Sequence, residues 1–145
     1  MALAPLVSSM VIAREAFDTM FRHAIVESPS ECCGLLLGVN GKIESALPAR
    51  NDSNDPSRYR VNPEDHFSAI HAARSLGNSV VGVYHSHPYS EATPSATDLA
   101  EASYPDYLYV IVSLHSGTAN AIEPGVMGGF WLRDGSATAV ELRVD

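Results

Sequence analysis

Residues 79–98 read SVVGVYHSHPYSEATPSATD, and this stretch predicts a strand, a loop and a helix in succession. The β-branched and aromatic residues of Ser79–His87 favour a strand, and a helical stretch, Ser95–Ser103, follows the loop. Side chains alternate across a strand, so His85 and His87 project from the same face about two strand rises apart. Two imidazoles placed in this way can converge on one metal ion.

Two further helices are predicted upstream of this stretch. Apolar residues recur from Ala13 to Ile25 at the spacing of one buried helical face, and this helix is expected to stop near Ser28-Pro29. The second helix is expected to begin at Asn62-Pro63, where an N-cap precedes a first-turn proline, and to end at Gly77. Its expected buried face consists of Phe67, Ile70, Ala73 and Leu76.

The other predicted strands form two hairpins and one buried strand. Asn40-Gly41 and Asp134-Gly135 each supply a two-residue turn for a hairpin. The predicted strands are Gly34–Val39, Lys42–Leu47, Leu108–Leu114, Phe130–Arg133 and Ala137–Val144. Strands that flank and interleave with three helices predict an α/β or α+β sandwich around a mixed sheet.

The overall composition predicts a single domain, 1–145, because neither polar connector, Pro48–Asn62 or His115–Gly129, separates two segments large enough to fold alone. With 46% hydrophobic and 18% charged residues, the chain is neither disordered nor fibrous. The net charge of −8 argues against nucleic acid and anionic membranes as partners. No run approaches the ~18 apolar residues of a membrane span, and residues 1–13 lack a basic leader region. Two adjacent cysteines provide no disulfide framework, so a cytoplasmic location is expected.

A third metal ligand is predicted at Asp98. If the loop turns the chain back, the first turn of the helix presents Asp98 to the two imidazoles and leaves a coordination position vacant. Ser95 and Asp98 also have a competing interpretation, because Ser-x-x-acid at a helix start resembles a capping box. We expect that Asp98 cannot fully satisfy both roles. In the functional interpretation the Ser95 hydroxyl faces the vacant position and donates to a developing oxyanion.

Glu31 is a candidate general base. It directly precedes an apolar strand, at the end of the sheet, where its carboxylate would accept a proton from a metal-bound water. By itself, a carboxylate that follows Ser28-Pro29-Ser30 is more typical of a solvated loop. Only the wider pattern favours the catalytic interpretation.

Together these residues resemble the JAMM (MPN+) zinc metalloprotease family, especially its compact single-domain prokaryotic members. The resemblance rests on His85-Ser86-His87-Pro88, on Ser95-Ala96-Thr97-Asp98, and on Glu31 at the start of ECCGLLLG. The stretch Tyr59–Asp65, which reads YRVNPED, is also similar. The resemblance runs from roughly Val11 to Leu114, and no motif position departs from the family pattern.

The resemblance implies a mixed, curved β-sheet flanked by helices and one Zn²⁺ per chain. It implies His85, His87 and Asp98 as zinc ligands, with a water as the fourth. It also implies Glu31 as the general base and Ser95 as the stabiliser of the tetrahedral intermediate. Members of the family cleave bonds after the C-terminal tail of ubiquitin or ubiquitin-like proteins, and some compact bacterial members are associated with sulfur-carrier proteins. We therefore expect a zinc metallo(iso)peptidase that cuts after the C-terminal glycines of such a carrier.

Two other functions stay open at this point. Domains of this fold also serve as non-catalytic scaffolds, although those lack the zinc ligands present here. Two histidines and a carboxylate also describe the facial triad of non-haem iron oxygenases, whose second histidine normally lies far along a β-barrel. Here the three ligands fall within fourteen residues. The sequence leaves open the carrier, the leaving group, the formation of a homodimer, and the roles of Cys32 and Cys33.

Overall fold

The structure is a computed structural model that describes residues 6–115 and 126–145. Seven strands and three helices lie within these ranges. In chain order they are β1 (Ser9–Ile12), α1 (Arg14–Glu27), β2 (Cys33–Val39), β3 (Lys42–Ala49), α2 (Pro63–Ser75), β4 (Ser79–His87), α3 (Ala96–Glu101), β5 (Leu108–Ser113), β6 (Met127–Arg133) and β7 (Ser136–Val144).

The described strands form one closed barrel in the order β1-β3-β2-β4-β5-β6-β7. The pairing is mixed, because β1 runs parallel to β3 and β7, and β4 runs parallel to β5, while the other neighbours are antiparallel. This arrangement confirms the predicted class, a mixed, curved sheet with helices. The sequence analysis did not predict β1, the short strand that pairs on both sides and closes the barrel.

Helix α1 packs its apolar stripe against the sheet, as predicted. Phe17, Met20, Phe21 and Ala24 are buried in the main core with residues of β2, β4 and β5. Ile25 was expected on the same face but is 58% exposed, because it falls at the edge of this stripe.

Helix α2 buries only Ala73 of the four apolar residues expected on its inner face. It buries the small residues Ala69 and Ala73 against β2, which lets the helix lie close to the strands. Phe67, Ile70 and Leu76 are 57%, 38% and 66% exposed, so their predicted burial is wrong. Phe67 and Ile70 instead border a cavity beside the helix.

The predicted hairpin turns are found where expected, whereas the bounds of some elements differ from the prediction. The second hairpin turn has positive φ angles at Asp134 and Gly135, and the first has one at Gly41 alone. Helix α3 is shorter than the predicted Ser95–Ser103. The connector predicted at His115–Gly129 lies largely outside the described residues, and its last residues belong to β6. None of the described helices is long and apolar enough to cross a membrane.

Candidate metal centre

Strand β4 carries both predicted histidine ligands in its last three residues. His85 and His87 are 0% and 4% exposed, and both neighbouring strands pair with this end of β4. Cys33 of β2 pairs with His85 on one side, and Ser113 of β5 pairs with His87 on the other. Because the strand is paired on both sides, the directions of the two imidazoles are set by the barrel.

Asp98 reaches both imidazoles from the first turn of α3. Its Oδ2 atom lies 3.2 Å from Nε2 of His85 and 3.1 Å from Nε2 of His87, and the two Nε2 atoms are 3.1 Å apart. Ligands about 2.0–2.1 Å from a tetrahedral ion lie roughly 3.3 Å from one another. The three atoms therefore already have nearly the spacing that one small divalent ion requires, and the group fits a metal ion.

Asp98 also belongs to a capping box. The Ser95 N–H donates to Oδ2 of Asp98 at 2.9 Å, and the Asp98 N–H donates to Oγ of Ser95 at 3.0 Å. The cap and the spacing of a metal ligand therefore occur together at Oδ2 of Asp98, so the cap by itself does not exclude the second role. A carboxylate oxygen accepts more than one hydrogen bond or ligand bond, so the cap orients the same oxygen that faces the histidines.

The second nitrogen of each imidazole has a different environment. Nδ1 of His87 lies 2.8 Å from the Glu91 carbonyl, which can only accept, so Nδ1 carries a proton and Nε2 is the nitrogen that would face a metal. Nδ1 of His85 is buried and has no hydrogen-bond partner among the described residues. The Tyr59 ring stacks on the His85 ring instead, with centroids 4.2 Å apart, and fixes its plane.

The pKa values of the three groups favour an ionised carboxylate beside the imidazoles. Burial would raise the pKa of Asp98, but hydrogen bonds from His85 and His87 outweigh it and hold that pKa well below its usual range. Burial lowers the pKa of His85, which keeps this imidazole neutral. Burial also opposes protonation of His87, yet its hydrogen bonds with Asp98 and with the Glu91 carbonyl raise its pKa overall. In the absence of a metal, protonation of His87 provides positive charge beside the Asp98 carboxylate.

Glu31 lies next to this cluster, at the start of β2. The Cys33–His85 pairing continues through two hydrogen bonds between Cys32 and Ser86, which places Glu31 level with His87 on the neighbouring strand. The side chain is buried, and its Oε1 has no hydrogen-bond partner among the described residues. Burial raises its pKa to about 8. The solvated-loop interpretation is therefore wrong, since Glu31 is a buried, weakly acidic carboxyl group beside the histidines.

The Ser95 side chain stands at the open side of the cluster. Ser95 is exposed and lines a second, smaller cavity of about 460 Å³ together with His87, Glu91 and His115. Its Oγ accepts from Asp98, but a hydroxyl can accept and donate at the same time. The O–H therefore stays available to a group that enters this cavity.

The sequence of this site belongs to a known class. The family model of prokaryotic homologues of the JAB domain matches residues 13–124. The chain belongs to this family. The matched residues include α1, the buried carboxyl group, both histidines and the aspartate.

Relatives of this JAB domain include a desampylase and a peptidase. A desampylase of Haloferax volcanii is 38% identical over 113 residues, which cover 73% of this chain and 81% of the relative. A CysO-cysteine peptidase of Mycobacterium tuberculosis is 35% identical over 106 residues, which cover 72% of this chain and 73% of the relative. The solution structure of a protein from Desulfitobacterium hafniense superposes with a TM-score of 0.80 at 27% identity, and covers 94% of this chain and 92% of that one.

The two cysteines of the JAB domain are buried and form no disulfide. Burial raises the pKa of Cys32 to about 11 and that of Cys33 to about 12. Thiols with such pKa values remain protonated near neutral pH and are poor nucleophiles. Both cysteines therefore act as small core residues.

Two residues of the site escaped the sequence analysis as individual positions. Tyr59 was noted only as part of a similar stretch, and its stacking on His85 depends on how the loop between β3 and α2 folds. Asn51 lies in the same loop and hydrogen-bonds the Glu31 carbonyl. An asparagine in a polar loop is typical of a turn, so no local pattern indicates either contact.

A larger cavity of about 740 Å³ has Asp98 in its lining. Tyr59, Val61, Val83 and Tyr109 contribute to its lining, and α2 borders it. The candidate metal centre thus borders two cavities, one lined by Asp98 and the other by His87 and Ser95.

Proposed function

We propose that this JAB domain is a zinc-dependent peptidase that cleaves the bond after the C-terminal glycines of a ubiquitin-like or sulfur-carrier protein. The observation that carries the proposal is the convergence of His85 Nε2, His87 Nε2 and Asp98 Oδ2 beside a buried Glu31 with an unpaired oxygen. The names of the relatives, desampylase and CysO-cysteine peptidase, support a carrier conjugate as the substrate.

Zinc suits this donor set, because two imidazole nitrogens and one carboxylate oxygen are ligands of hydrolytic zinc sites. His85, His87 and Asp98 would hold the ion. When bound, zinc supplies Lewis acidity that polarises the scissile carbonyl and makes water nucleophilic at neutral pH. We expect one zinc per chain by elemental analysis, and full occupancy by iron would favour the oxygenase alternative instead.

The side chains around the ligands have distinct tasks. The Glu31 carboxylate takes the proton of the attacking water and returns it to the leaving amine. A carboxyl group can accept a proton and return it, so one side chain beside the ligands can serve both transfers. The Ser95 O–H donates to the carbonyl oxygen as negative charge develops there.

The extended segment around Val61 offers a place for the carrier tail. Hydrogen bonds from Asp52 N to Arg60 O and from Asn62 N to Arg50 O flank the bridge between Asn51 and Val61. In an antiparallel pair this pattern directs the Val61 N–H and C=O away from Asn51. Within the described residues these two groups have no other hydrogen-bond partner.

An unpaired strand edge can bind an extended tail by strand addition. Val61 lines the larger cavity together with Asp98, so a tail on this edge would lead towards the metal centre. The closed barrel itself offers no such edge among the described strands. Glycine before the scissile bond lets the backbone approach closely, whereas a bulky side chain would hold it away.

The test uses carrier conjugates that end in Gly-Gly, Ala-Ala or Val-Val before the scissile bond, with product release followed by mass spectrometry. We expect rapid cleavage after Gly-Gly and none after Val-Val. Equal rates for the two would contradict the tail-binding proposal and favour a general peptidase. A zinc-loaded protein that cleaves none of the conjugates would favour the non-catalytic scaffold.

We further propose that the chain forms one domain and works in the cytoplasm. The free, buried cysteines and the family membership support this location. The acidic net charge supports a carrier protein rather than nucleic acid or an anionic membrane as the partner.

A further inference from the structure

Asn51 uses the full hydrogen-bonding capacity of its side chain within the loop that covers the site. Its Nδ2 donates to the carbonyl oxygens of Glu31 and Arg58, at 3.1 and 3.0 Å. Its Oδ1 accepts from the backbone N–H groups of Ser53 and Arg60, both at 2.9 Å. An amide side chain has two donor hydrogens and two acceptor lone pairs, so these four contacts saturate it.

The same loop holds the Glu31 main chain from both sides. The Glu31 N–H donates to the Pro56 carbonyl at 2.9 Å, and the Glu31 carbonyl accepts from Asn51. The next residue is anchored as well, since the Cys32 N–H donates to Oγ of Ser86 at 2.8 Å. By contrast, the Glu31 carboxylate makes no hydrogen bond within the described residues. The main chain therefore decides where this carboxylate stands.

We propose that Asn51 is a positioning residue for Glu31, which holds the base in register with His87 by binding its carbonyl. This inference rests on the proposed function. Asn51 touches neither the metal ligands nor the space between them, so its effect on the reacting groups passes through Glu31. Its bond from the Arg60 N–H reaches the tail-binding segment instead, where a disturbance would change KM. We call the contact between Asn51 and the Glu31 carbonyl the clamp. The same Nδ2 atom also donates to the Arg58 carbonyl, so the position of the Glu31 main chain depends on the conformation of the loop.

Asn51→Ala is expected to lower kcat by roughly 10–100-fold, the usual loss when the support of a catalytic group is removed. Metal affinity is expected to stay near the wild-type value, since His85, His87 and Asp98 lie on other elements. KM is expected to change little, since the backbone hydrogen bonds that flank Val61 do not involve the Asn51 side chain. A rise in KM with kcat unchanged would overturn the inference, because Asn51 would then act on the tail-binding segment.

A double-mutant cycle with Glu31→Gln tests the dependence on Glu31 directly, with single-turnover rates measured at excess enzyme. If Asn51 acts through Glu31, the loss from Asn51→Ala disappears in the Glu31→Gln background. Equal losses in both backgrounds would refute the positioning role.

Two further variants separate positioning from folding. Ser57→Ala is the matched control, because the Ser57 hydroxyl also hydrogen-bonds within the loop, to Oδ1 of Asp55, yet makes no contact with Glu31. It should leave both kcat and KM unchanged. Asn51→Asp keeps the acceptor for Ser53 and Arg60 but loses both donated bonds, so it should match the kcat loss of Asn51→Ala.

Amide hydrogen exchange in the metal-free protein provides a measurement that needs no activity. In Asn51→Ala the Glu31 amide should exchange at least about tenfold faster, while amides of β5 keep their protection. Unchanged exchange at Glu31 would overturn the clamp. If the wild-type protein cleaves no carrier, the proposed function fails, and exchange still decides whether Asn51 holds Glu31.

Discussion

Replacing Glu31 by glutamine should stabilise the metal-free protein at alkaline pH. Burial raises the folded-state pKa of Glu31 from its ordinary 4.5 to about 8. Between these two values the unfolded chain has released the proton and the folded chain still holds it, so wild-type stability falls as the pH rises. Glutamine has no proton to lose, and its amide preserves the shape of the side chain.

The expected difference follows from the size of this shift. One pKa unit corresponds to about 1.36 kcal/mol, so the buried carboxylate costs the wild-type protein roughly 3–5 kcal/mol at pH 9. At pH 5 the same substitution should change stability by less than about 1 kcal/mol, because the group is still protonated in the folded state. Such a gain is a large part of the stability of a small domain.

Urea unfolding at pH 5 and pH 9, with a chelator present, measures the difference. The histidines are present in both proteins, so their own contribution largely cancels when the two are compared, and what remains is the attraction between the Glu31 carboxylate and His87. Glu141→Gln is the matched control, since Glu141 is exposed on β7 and should give no pH-dependent gain. An equal difference at both pH values, or a more stable wild type at pH 9, would show that Glu31 is not a buried, unpaired acid.

In the metal-loaded protein the same substitution should reduce activity. Glu31→Gln is expected to remain folded and to bind metal, with a rate about 10²–10⁴ lower, because an amide cannot accept the proton. Rates within a few fold of wild type would remove Glu31 from the mechanism.

Other substitutions separate the overlapping roles at the start of α3. Asp98→Ala should lose both metal and activity, whereas Asp98→Asn keeps an acceptor for the Ser95 N–H and should lose metal affinity with less loss of stability. A metal-replete, active Asp98→Ala protein would show that Asp98 is only a cap. Ser95→Ala and Ser95→Gly should both lower kcat by about 10²–10³. Ser95→Ala should in addition lower the free energy of unfolding by ~0.5–2 kcal/mol, and Ser95→Gly by only a few tenths. A clearly more active glycine variant would show that the loss of activity comes from the lost cap, and would refute the oxyanion role. Metal affinity should fall as the pH falls, because the raised pKa of His87 lets protons compete, and a competition titration that shows no pH dependence would contradict this.

Local patterns predicted those strands and helices whose ends are marked by turn or capping residues, or which contain a long apolar run. Asp134-Gly135 ends one strand and starts the next, and the apolar run in β5 is long enough to stand out. Strand β1 has only four residues, Ser9–Ile12, and exists because β3 and β7 pair with it from distant parts of the chain. No local pattern contains that information, so this strand could not be predicted.

The buried face of α2 shows where hydrophobic periodicity misleads. Large apolar residues at Phe67 and Ile70 indicate a core face, yet the helix approaches the sheet through Ala69 and Ala73. Small side chains allow closer contact, and the large ones then border the cavity. Which face a helix buries depends on the surface it meets, which the sequence of the helix alone does not describe.

Some residues of the candidate site could be predicted from local sequence, and others depend on long-range contacts. Strand alternation is enough to place His85 and His87 on one face, because both belong to one strand. Glu31 required the register between β2 and β4, a long-range pairing, and only the family resemblance indicated its role. The clamp from Asn51 required the folded loop as well.

Asp98 explains why the capping pattern could not decide between a structural and a functional role. The Ser-x-x-Asp pattern requires a carboxylate that reaches back to the Ser95 N–H, and a metal ligand requires a carboxylate held rigidly at one place. In the structure Oδ2 meets both requirements, since it accepts from Ser95 at 2.9 Å and lies 3.1–3.2 Å from the two imidazoles. The cap restricts the rotation of the Asp98 side chain before a metal binds. The entropic cost of metal binding is therefore lower than it would be for a freely rotating carboxylate. The structural and the functional interpretation of Asp98 are therefore compatible, because one oxygen caps α3 and faces the two imidazoles of β4.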